Sequence, residues 1–213
     1  MTSEFVHLHN HSDYSLLDGA QRVEQLVNTI DDLNMDGVAL TEHGNMFSTG
    51  PFYQKAQKAG INPIIGCETY VAVESRHNKK PQAGGGWGNN HLILLVQNQI
   101  GYKNLMKLVT AGYLEGFYYR PRIDMELLKD HSDGLVCLSG CLKGEIPEKM
   151  LNGDYEGARD AALRFSEIFS DRFYLEVQNH GIPEEKANIE NMKKLAHDLS
   201  LPIVCTNAVS YTH

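Results

Sequence analysis

Three histidines alternate near the start of the chain, at His7, His9 and His11. On an extended strand, residues two apart point to the same face, so these imidazoles would project together. Two neutral imidazoles held in this way form a metal-binding pair with little conformational adjustment. A lone histidine after a strand is more often solvated or capped than bound to an ion, but an alternating triplet is harder to explain that way. The spacing therefore predicts a metal site.

Further residues of metal-binding type stand beside short apolar runs that are typical of strands. They are Asp18 in the loop after the triplet, Glu42 and His43 after the second run, Glu68 after the third, Cys141 after the fifth and His180 after the sixth. His91 is the exception, because it precedes the fourth run and would lie at the opposite end of a parallel sheet. A mixture of imidazole, carboxylate and thiolate suits Zn²⁺, Mn²⁺ or Fe²⁺ rather than Ca²⁺. The set exceeds what one tetrahedral ion needs, which predicts a cluster of two or three ions, as in phosphoester hydrolysis.

The elements that must position these side chains alternate between strand and helix. The predicted strands are 5–8, 37–41, 63–66 leading into 70–73, 92–96, 135–138, 173–177 and 203–206. The predicted helices are 23–33, 51–59, 102–111, 145–151, 155–169 and 183–199. Seven such units with no long antiparallel stretch predict an α/β fold with a mainly parallel sheet. The pattern leaves a barrel-like closure and an open doubly wound sheet as alternatives, and both place functional groups at the carboxyl ends of the strands.

The composition excludes some classes of protein. The chain has 213 residues, with 19 Lys and Arg against 27 Asp and Glu, and the resulting charge of −8 argues against a dedicated duplex-DNA-binding surface. It leaves room for a phosphate-processing site whose positive charge comes from bound cations. No apolar run is long enough to span a bilayer, and the first residues lack the basic region and apolar core of a signal peptide. The four cysteines form no C-x-x-C pair, which favours reduced thiols and a cytoplasmic location.

Four short motifs contain most of these residues: HLHNHS at 7–12, LDGA at 17–20, TEHGNM at 41–46 and IGCE at 65–68. They resemble motifs of the PHP (polymerase and histidinol phosphatase) superfamily. The resemblance implies a metal-dependent phosphoesterase on a distorted, TIM-like, seven-stranded β/α barrel. More narrowly, GFYYRPR at 116–122, LSGC at 138–141, GIPE at 181–184 and TN at 206–207 are similar to the N-terminal PHP domain of bacterial DNA polymerase III alpha subunits. Since the match covers essentially the whole chain, it implies one PHP domain over 1–213, without the palm, thumb and fingers of a polymerase.

The resemblance also implies a set of metal ligands. Carried over position by position, these are His9, His11, Asp18, His43, Glu68, His91 and Cys141. The set includes His91, leaves His7 as a neighbour of the site, and gives His180 at most a supporting or substrate-binding role. The family implies a cluster of two or three divalent ions (Zn, Mn or Fe) and 3′–5′ exonuclease-type hydrolysis of a DNA 3′ end. The nucleophile would be water activated by the ions, so no catalytic side chain is assigned.

The last family motif departs from the expected pattern. After Thr206 and Asn207 the family has Asp-x-His, both ligands, whereas this chain has Ala208, Val209 and Ser210. Neither alanine nor serine replaces a carboxylate or an imidazole, so we expect a weakened metal site and reduced hydrolysis.

These substitutions favour an alternative function, a non-catalytic module that stabilises the polymerase or docks a separate proofreading exonuclease subunit. A free-standing phosphatase acting on small phosphomonoesters is disfavoured by the polymerase-type motifs. The expected partners are therefore a DNA 3′ end, the remainder of the alpha subunit and a proofreading subunit, with no membrane.

Overall fold

The computed structural model describes residues 5–17, 19–80 and 88–207 of the chain. Its strands are β1 (Gly37–Leu40), β2 (Asn62–Ala72), β3 (Asn89–Val96), β4 (Arg122–Ile123), β5 (Leu135–Leu138), β6 (Phe173–Val177) and β7 (Ile203–Cys205). Its helices are α1 (Val23–Asp32), α2 (Thr49–Ala59), α3 (Gln99–Leu114), α4 (Met125–Asp130), α5 (Glu145–Leu151), α6 (Tyr155–Phe169) and α7 (Pro183–Leu199), and a 3₁₀ turn at Ser170–Arg172 joins α6 to β6.

One mixed sheet contains all of these strands. Its order is β1-β2-β3-β5-β6-β7, and β4 pairs with β2 beside this path. β3 runs antiparallel to both of its neighbours, β2 and β5, whereas the other pairs are parallel. The expectation of no long antiparallel stretch was therefore wrong. A parallel pair needs a long crossover, usually a helix, but the connection from β2 to β3 has no helix-forming period, so the chain returns antiparallel.

The concave face of the sheet brings distant strands together. Leu8, from the segment before α1, packs there with apolar side chains of six strands: Ala39 of β1, Ile64 of β2, Ile93 and Leu95 of β3, Val136 and Leu138 of β5, Tyr174 of β6 and Val204 of β7. Most of these side chains line a cavity of about 380 Å³. The sheet is curled into a half-barrel, which agrees with the predicted barrel-like α/β fold rather than with an open doubly wound sheet.

Helices cover the convex face in two groups. Helix α1 places Val23, Leu26, Val27 and Ile30 at the three- and four-residue spacing of one helix face, and with α2 they pack on β1. The larger group (α3, α5, α6 and α7) packs on β2, β3, β5 and β6. This outer core holds the strands whose carboxyl ends carry the polar residues described below.

The predicted elements agree with most of the structure. The bounds of α5, α6, α7, β5 and β6 are confirmed, and α1 ends one residue earlier than expected. The predicted strand 5–8 is wrong, since only His7 forms a bridge, to Val38 of β1. The predicted segments 63–66 and 70–73 are parts of the single strand β2, except for Val73, which lies just beyond its end. Neither β4 nor α4 was predicted, because two and six residues are too short to show a period.

No helix in the part of the chain that the structure describes is both long and apolar enough to cross a membrane.

Candidate metal centre

Glu68 lies at the centre of a ring of imidazoles. One carboxylate oxygen, Oε2, lies 2.8 Å from His9 Nε2 and 3.5 Å from His11 Nε2. The other, Oε1, lies 2.7 Å from His43 Nδ1 and 2.7 Å from His91 Nδ1. The Cys141 Sγ lies 3.8 Å from His91 Nδ1. We call these side chains the Glu68 cluster: His9, His11, His43, Glu68, His91 and Cys141.

Two neighbouring segments bring histidines to Glu68 from one side. Glu68 lies in β2, three residues beyond Ile65, and Ile65 is the last residue of β2 that pairs with β1. An isolated bridge joins Glu68 to His43, which follows β1. Glu68 was expected after a strand, but it lies inside the longer β2, at the level where β1 has ended. His9 and His11 follow the His7 bridge along the outer side of β1, and Thr41 N donates to Asn10 O.

The antiparallel direction of β3 brings His91 to the same place. In an all-parallel sheet, a residue that precedes its strand, as His91 does, would lie at the end opposite to the carboxyl ends of the strands. Since β3 runs opposite to β2, its beginning lies at the carboxyl end of β2, and His91 pairs with Tyr70, two residues beyond Glu68. The structure therefore places His91 with the other candidate ligands, as the resemblance implied.

Cys141 reaches His91 through a turn that only glycine fits. Gly140 follows β5 with a φ of +82°, in the left-handed region. A Cβ atom at this position would lie 2.7 Å from the backbone oxygen of His91. Glycine thus allows the Cys141 loop to approach the start of β3.

The remaining candidate residues lie apart from the Glu68 cluster or outside the described residues. The imidazole of His180 contacts Glu185 in the first turn of α7, with 2.6 Å between His180 Nδ1 and Glu185 Oε1. The ring of His7 packs edge-on against Phe5 at 4.9 Å. Asp18, Ala208 and Ser210 lie outside the residues that the structure describes.

Glu176 is a buried contact of the cluster that the sequence analysis missed. Its Oε1 lies 2.7 Å from His9 Nδ1, on the opposite side of the imidazole from Glu68, and 167 residues separate the pair in sequence. The same oxygen accepts hydrogen bonds from Gln178 Nε2 at 2.9 Å and from the Thr206 hydroxyl. One signal was available: an acidic residue within the otherwise apolar strand β6.

Glu42 holds the loop that precedes position 18. It is buried, and its carboxylate accepts hydrogen bonds from Ser12 N at 3.1 Å and from the hydroxyls of Ser12 and Ser15. The Ser15 hydroxyl oxygen in turn accepts from His43 N at 3.1 Å. Glu42 therefore ties residues 12–15 to the cluster without joining the ring around Glu68.

The cluster favours bound positive charge. Burial by itself raises the pKa of Glu68, but hydrogen bonds with its four histidines outweigh burial and hold that pKa well below its usual range. Burial lowers the pKa of His9, but Glu176 and Glu68 outweigh it and raise the pKa to about 10. His9 thus carries a proton between two carboxylates at neutral pH. A cation bound beside Glu68 would replace that proton.

Burial is the main influence on the pKa values of two further donors, His11 and Cys141. Burial lowers the pKa of His11, which leaves a neutral imidazole with a lone pair. Burial, reinforced by Glu68, raises the pKa of the Cys141 thiol to about 12, so a thiolate there at neutral pH needs a nearby cation.

The residues present fit divalent metal ions. Two groups of three residues each place their donor atoms within 4.8 Å of one another. The first group is His9, His11 and Glu68, and the second is Glu68, His91 and Cys141. Glu68 belongs to both groups. Among the described residues, His11 Nδ1 and Glu176 Oε2 are buried without a hydrogen-bond partner. The site therefore contains polar atoms whose hydrogen-bonding groups are not used by the protein itself. Imidazole, carboxylate and thiol together are the donor set of borderline divalent ions.

Comparisons with known proteins agree with this chemistry. Residues 7–180 match the family model described as the PHP domain. The DNA polymerase III subunit alpha of Borreliella burgdorferi is 46% identical over 99% of this chain and 18% of that protein. The same subunit of Thermus aquaticus is 43% identical over 98% of this chain and 17% of that protein. The chain thus spans less than a fifth of the length of these relatives.

A solved structure shares the fold. A crystal structure assigned as a metal-dependent phosphoesterase from Bifidobacterium adolescentis superposes with a TM-score of 0.53 and 12% identity, covering 97% of this chain and 87% of that chain. At this identity, the likeness concerns the fold alone.

Proposed function

The chain belongs to the PHP domain family, and from this membership we propose that it is a metal-dependent phosphoesterase domain that hydrolyses DNA 3′ ends. The observation that carries the proposal is the Glu68 carboxylate, whose two oxygens face different imidazoles of the cluster. A carboxylate in this position would be able to help hold more than one divalent ion, together with the imidazoles beside each of its oxygens. Two-ion sites are typical of enzymes that cleave phosphoesters.

The proposed metal ligands are those of the Glu68 cluster, together with Asp18. His9 and His11 would hold one ion with Glu68, and His91 and Cys141 would hold another with the same carboxylate. His43 contacts the Glu68 oxygen that His91 also contacts. Zn, Mn and Fe are the candidate metals. Bound divalent ions would supply Lewis-acid stabilisation of the phosphoryl oxygens and would lower the pKa of a nearby water.

Other residues of the chain position these ligands. Glu176 binds His9 through Nδ1 and so directs Nε2 toward Glu68, the arrangement by which a carboxylate orients a metal-binding histidine. Glu42 fixes the loop 12–15 against His43 through two serine hydroxyls. Burial of His9, His11 and Glu68 excludes water from the base of the site.

The similarity to polymerase subunits supports a particular setting for this activity. We propose that the chain is the PHP domain of a DNA polymerase III alpha subunit, because relatives of that name match nearly its whole length. The remainder of such a subunit and a separate proofreading exonuclease subunit are the proposed protein partners. Ala208 and Ser210, where the family resemblance implies ligands, are proposed to weaken hydrolysis.

The same two residues support a second candidate function. With two ligands of the last motif replaced, the domain would retain its fold and serve as a structural or partner-docking part of the polymerase. The retained members of the Glu68 cluster support the phosphoesterase instead, because a purely structural domain does not require buried histidines around a carboxylate.

Metal analysis combined with a nuclease assay tests the proposal. We expect the purified protein to bind Mn²⁺ or Zn²⁺ and to release nucleotides slowly from a 3′-mismatched primer. The Ala208→Asp/Ser210→His variant should be faster, whereas Glu68→Gln should lose metal and activity. Glu74→Gln, an exposed acid beyond the end of β2, is the matched control and should change neither.

Two results would count against the proposal. Metal binding without hydrolysis, even after both ligands are restored, would favour the non-catalytic module. Failure of the original and the restored protein to bind metal would overturn the ligand assignment.

A further inference from the structure

A turn of aromatic residues projects beside the Glu68 cluster, and the proposed chemistry does not use it. The turn comprises Phe117, Tyr118, Tyr119 and Arg120, and we call it the 117–120 turn. Phe117 is 48% exposed and Tyr119 is 61% exposed. Neighbouring exposed rings in one turn offer flat apolar surfaces on which a ligand can stack.

Local contacts hold the 117–120 turn in one conformation. Tyr118 N donates to Arg120 O at 3.1 Å, and Tyr119, between them, has a φ of +58°. The ring of Tyr119 packs edge-on against that of Tyr118, with centroids 4.7 Å apart. Below them the buried Arg122 donates from Nε to Gly116 O at 3.1 Å. The exposed rings are therefore pre-organised, which lowers the entropy lost on binding.

The turn is one layer of side chains away from the proposed metal ligands. The guanidinium carbon of Arg120 lies 5.4 Å from the centre of the Tyr70 ring, and that ring packs edge-on against His91 at 5.2 Å. Pro121 fills the space beside Gly44, where a Cβ would meet Pro121 Cγ at 2.7 Å, and Gly44 directly follows His43. Strand β4, which follows the turn, pairs with β2 at Tyr70 and fixes this position.

Arg120 supplies positive charge at this place in an acidic protein. Among the residues that the structure describes, its guanidinium makes no ion pair, and its contact is with the face of Tyr70. Arg76, by contrast, is paired with Glu115, Asp124 and Glu126. An arginine that is not neutralised by a carboxylate is well suited to bind a phosphate group.

We propose that the 117–120 turn binds single-stranded nucleic acid, with bases stacked on Tyr119 and Phe117 and a backbone phosphate bound by Arg120. Stacking rings interleaved with cationic side chains are the general means of holding single strands without regard to sequence. The inference rests on the proposed function, because it assigns the part of the strand next to the cleaved phosphodiester to this turn. A protein partner could also use exposed rings, but the adjacent phosphoesterase chemistry and the unpaired Arg120 favour a nucleic acid.

Binding of a labelled oligonucleotide tests the proposal. The probe is a fluorescein-labelled oligothymidylate of about eight nucleotides, followed by fluorescence anisotropy in EDTA so that it is not hydrolysed. We expect Tyr119→Ala to weaken binding about tenfold, since one stacked base is lost. Tyr119→Phe should bind normally, because it keeps the ring. Tyr53→Ala, an exposed tyrosine on α2, is the matched control and should have no effect.

Two further arms separate stacking from charge. An abasic oligonucleotide of equal length should bind the original protein and Tyr119→Ala equally weakly. Arg120→Ala should reduce the salt dependence of binding, whereas Arg120→Lys should keep it. If Tyr119→Ala binds the oligothymidylate as tightly as the original protein, the proposal is overturned. A protein partner would then be the better candidate for the 117–120 turn.

A base-free substrate distinguishes this inference from the proposed function. Hydrolysis of bis(p-nitrophenyl) phosphate by the metal-loaded original protein reports on the Glu68 cluster without requiring a nucleic-acid strand. Absence of that hydrolysis together with Tyr119-dependent oligonucleotide binding would reject the phosphoesterase but support the nucleic-acid site. Hydrolysis of bis(p-nitrophenyl) phosphate, together with oligonucleotide binding that is unchanged in Tyr119→Ala, would overturn this inference only.

Discussion

At the scale of single residues, the site depends on carboxylates that are buried among imidazoles. Glu68 and Glu176 lie on opposite sides of His9, and each holds one of its ring nitrogens. Burying an acid is costly unless it is paired and hydrogen-bonded, and both acids meet that condition. The contacts lower the pKa of Glu68 and of Glu176 despite burial, so both remain anionic and retain attraction for a cation.

The first prediction concerns Glu176. Replacing it by alanine leaves His9 Nδ1 without its carboxylate, so the imidazole is held less firmly toward Glu68. We expect Glu176→Ala to lower metal affinity about tenfold or more, the usual cost of losing a carboxylate that orients a metal-binding histidine. Competition with a fluorescent chelator measures the affinity. Glu167→Gln, an exposed acid on α6, is the control, and equal affinity in both variants would contradict the orienting role.

At the scale of elements, the direction of one strand decides which side chains meet. β3 is antiparallel to both neighbours, so its first residues lie beside the carboxyl ends of β2 and β5. His91 thereby faces Glu68 and Cys141, although it comes before its strand in the sequence. The connection after β5 must then pass close to the backbone of β3, and Gly140 makes that approach possible.

The second prediction tests this close approach. Gly140→Ala adds a Cβ 2.7 Å from the oxygen of His91 and also forces a residue with a side chain into positive φ. We expect a loss of about 2–4 kcal/mol in the free energy of unfolding, because steric overlap adds to the backbone strain. Gly153→Ala also has positive φ but meets no atom within 4 Å, so it should lose only about 1 kcal/mol. Equal losses by chemical denaturation would show that crowding at His91 contributes nothing.

The third prediction concerns the contact between α6 and α7. The Tyr155 hydroxyl donates to Asp198, which raises the pKa of Tyr155 to about 12 and lowers the pKa of Asp198. Because the pKa of Asp198 is lower in the folded protein than in the unfolded one, the contact stabilises the fold at pH values above the unfolded-state pKa. This stabilisation is lost as the pH falls through the folded-state pKa. Because the pKa of Tyr155 is higher in the folded protein, the contact stabilises the fold at pH values below the unfolded-state pKa of tyrosine. This stabilisation is lost as the pH rises toward about 12.

Tyr155→Phe should therefore lower the melting temperature by no more than about 2 °C, since the hydrogen bond between the hydroxyl and Asp198 is exposed to solvent. The difference from the original protein should be fullest between about pH 5 and pH 9 and should shrink outside this window. Thermal denaturation across the pH range measures it, with Tyr53→Phe as the control. A difference that is independent of pH would show that the hydroxyl acts through packing rather than through Asp198.

At the scale of the whole molecule, charge and architecture meet at the carboxyl ends of the strands. The chain carries a formal charge of −8, yet the half-barrel gathers histidines, Cys141 and Arg120 at one edge of its sheet. Bound divalent ions would concentrate positive charge there. Substrate phosphates would therefore meet a local positive field on an otherwise acidic protein.

The fourth prediction follows from linking five segments through one site. The Glu68 cluster joins the first residues of the chain, the residues after β1, the strands β2 and β3, and the loop after β5, so metal binding should stabilise the whole fold. An ion present at about 100 times its Kd adds about 2.7 kcal/mol, which corresponds to a rise of about 5–10 °C in melting temperature. Scanning calorimetry with and without EDTA measures this rise. Glu68→Gln should show little of it, and an equal rise in both proteins would place the bound metal elsewhere.

The sequence by itself determined most of the strands and helices, the resemblance to the PHP family and the residue types of a metal site. These features depend on hydrophobic periods and short motifs, which local sequence carries directly. The tertiary structure decided that β3 is antiparallel, so that His91 joins Glu68, and that Glu176 meets His9 across 167 residues. It also placed Arg120 over Tyr70, beside His91. These contacts could not be predicted from local patterns, because they arise when the sheet curls and buries its apolar faces, and that burial depends on every strand at once.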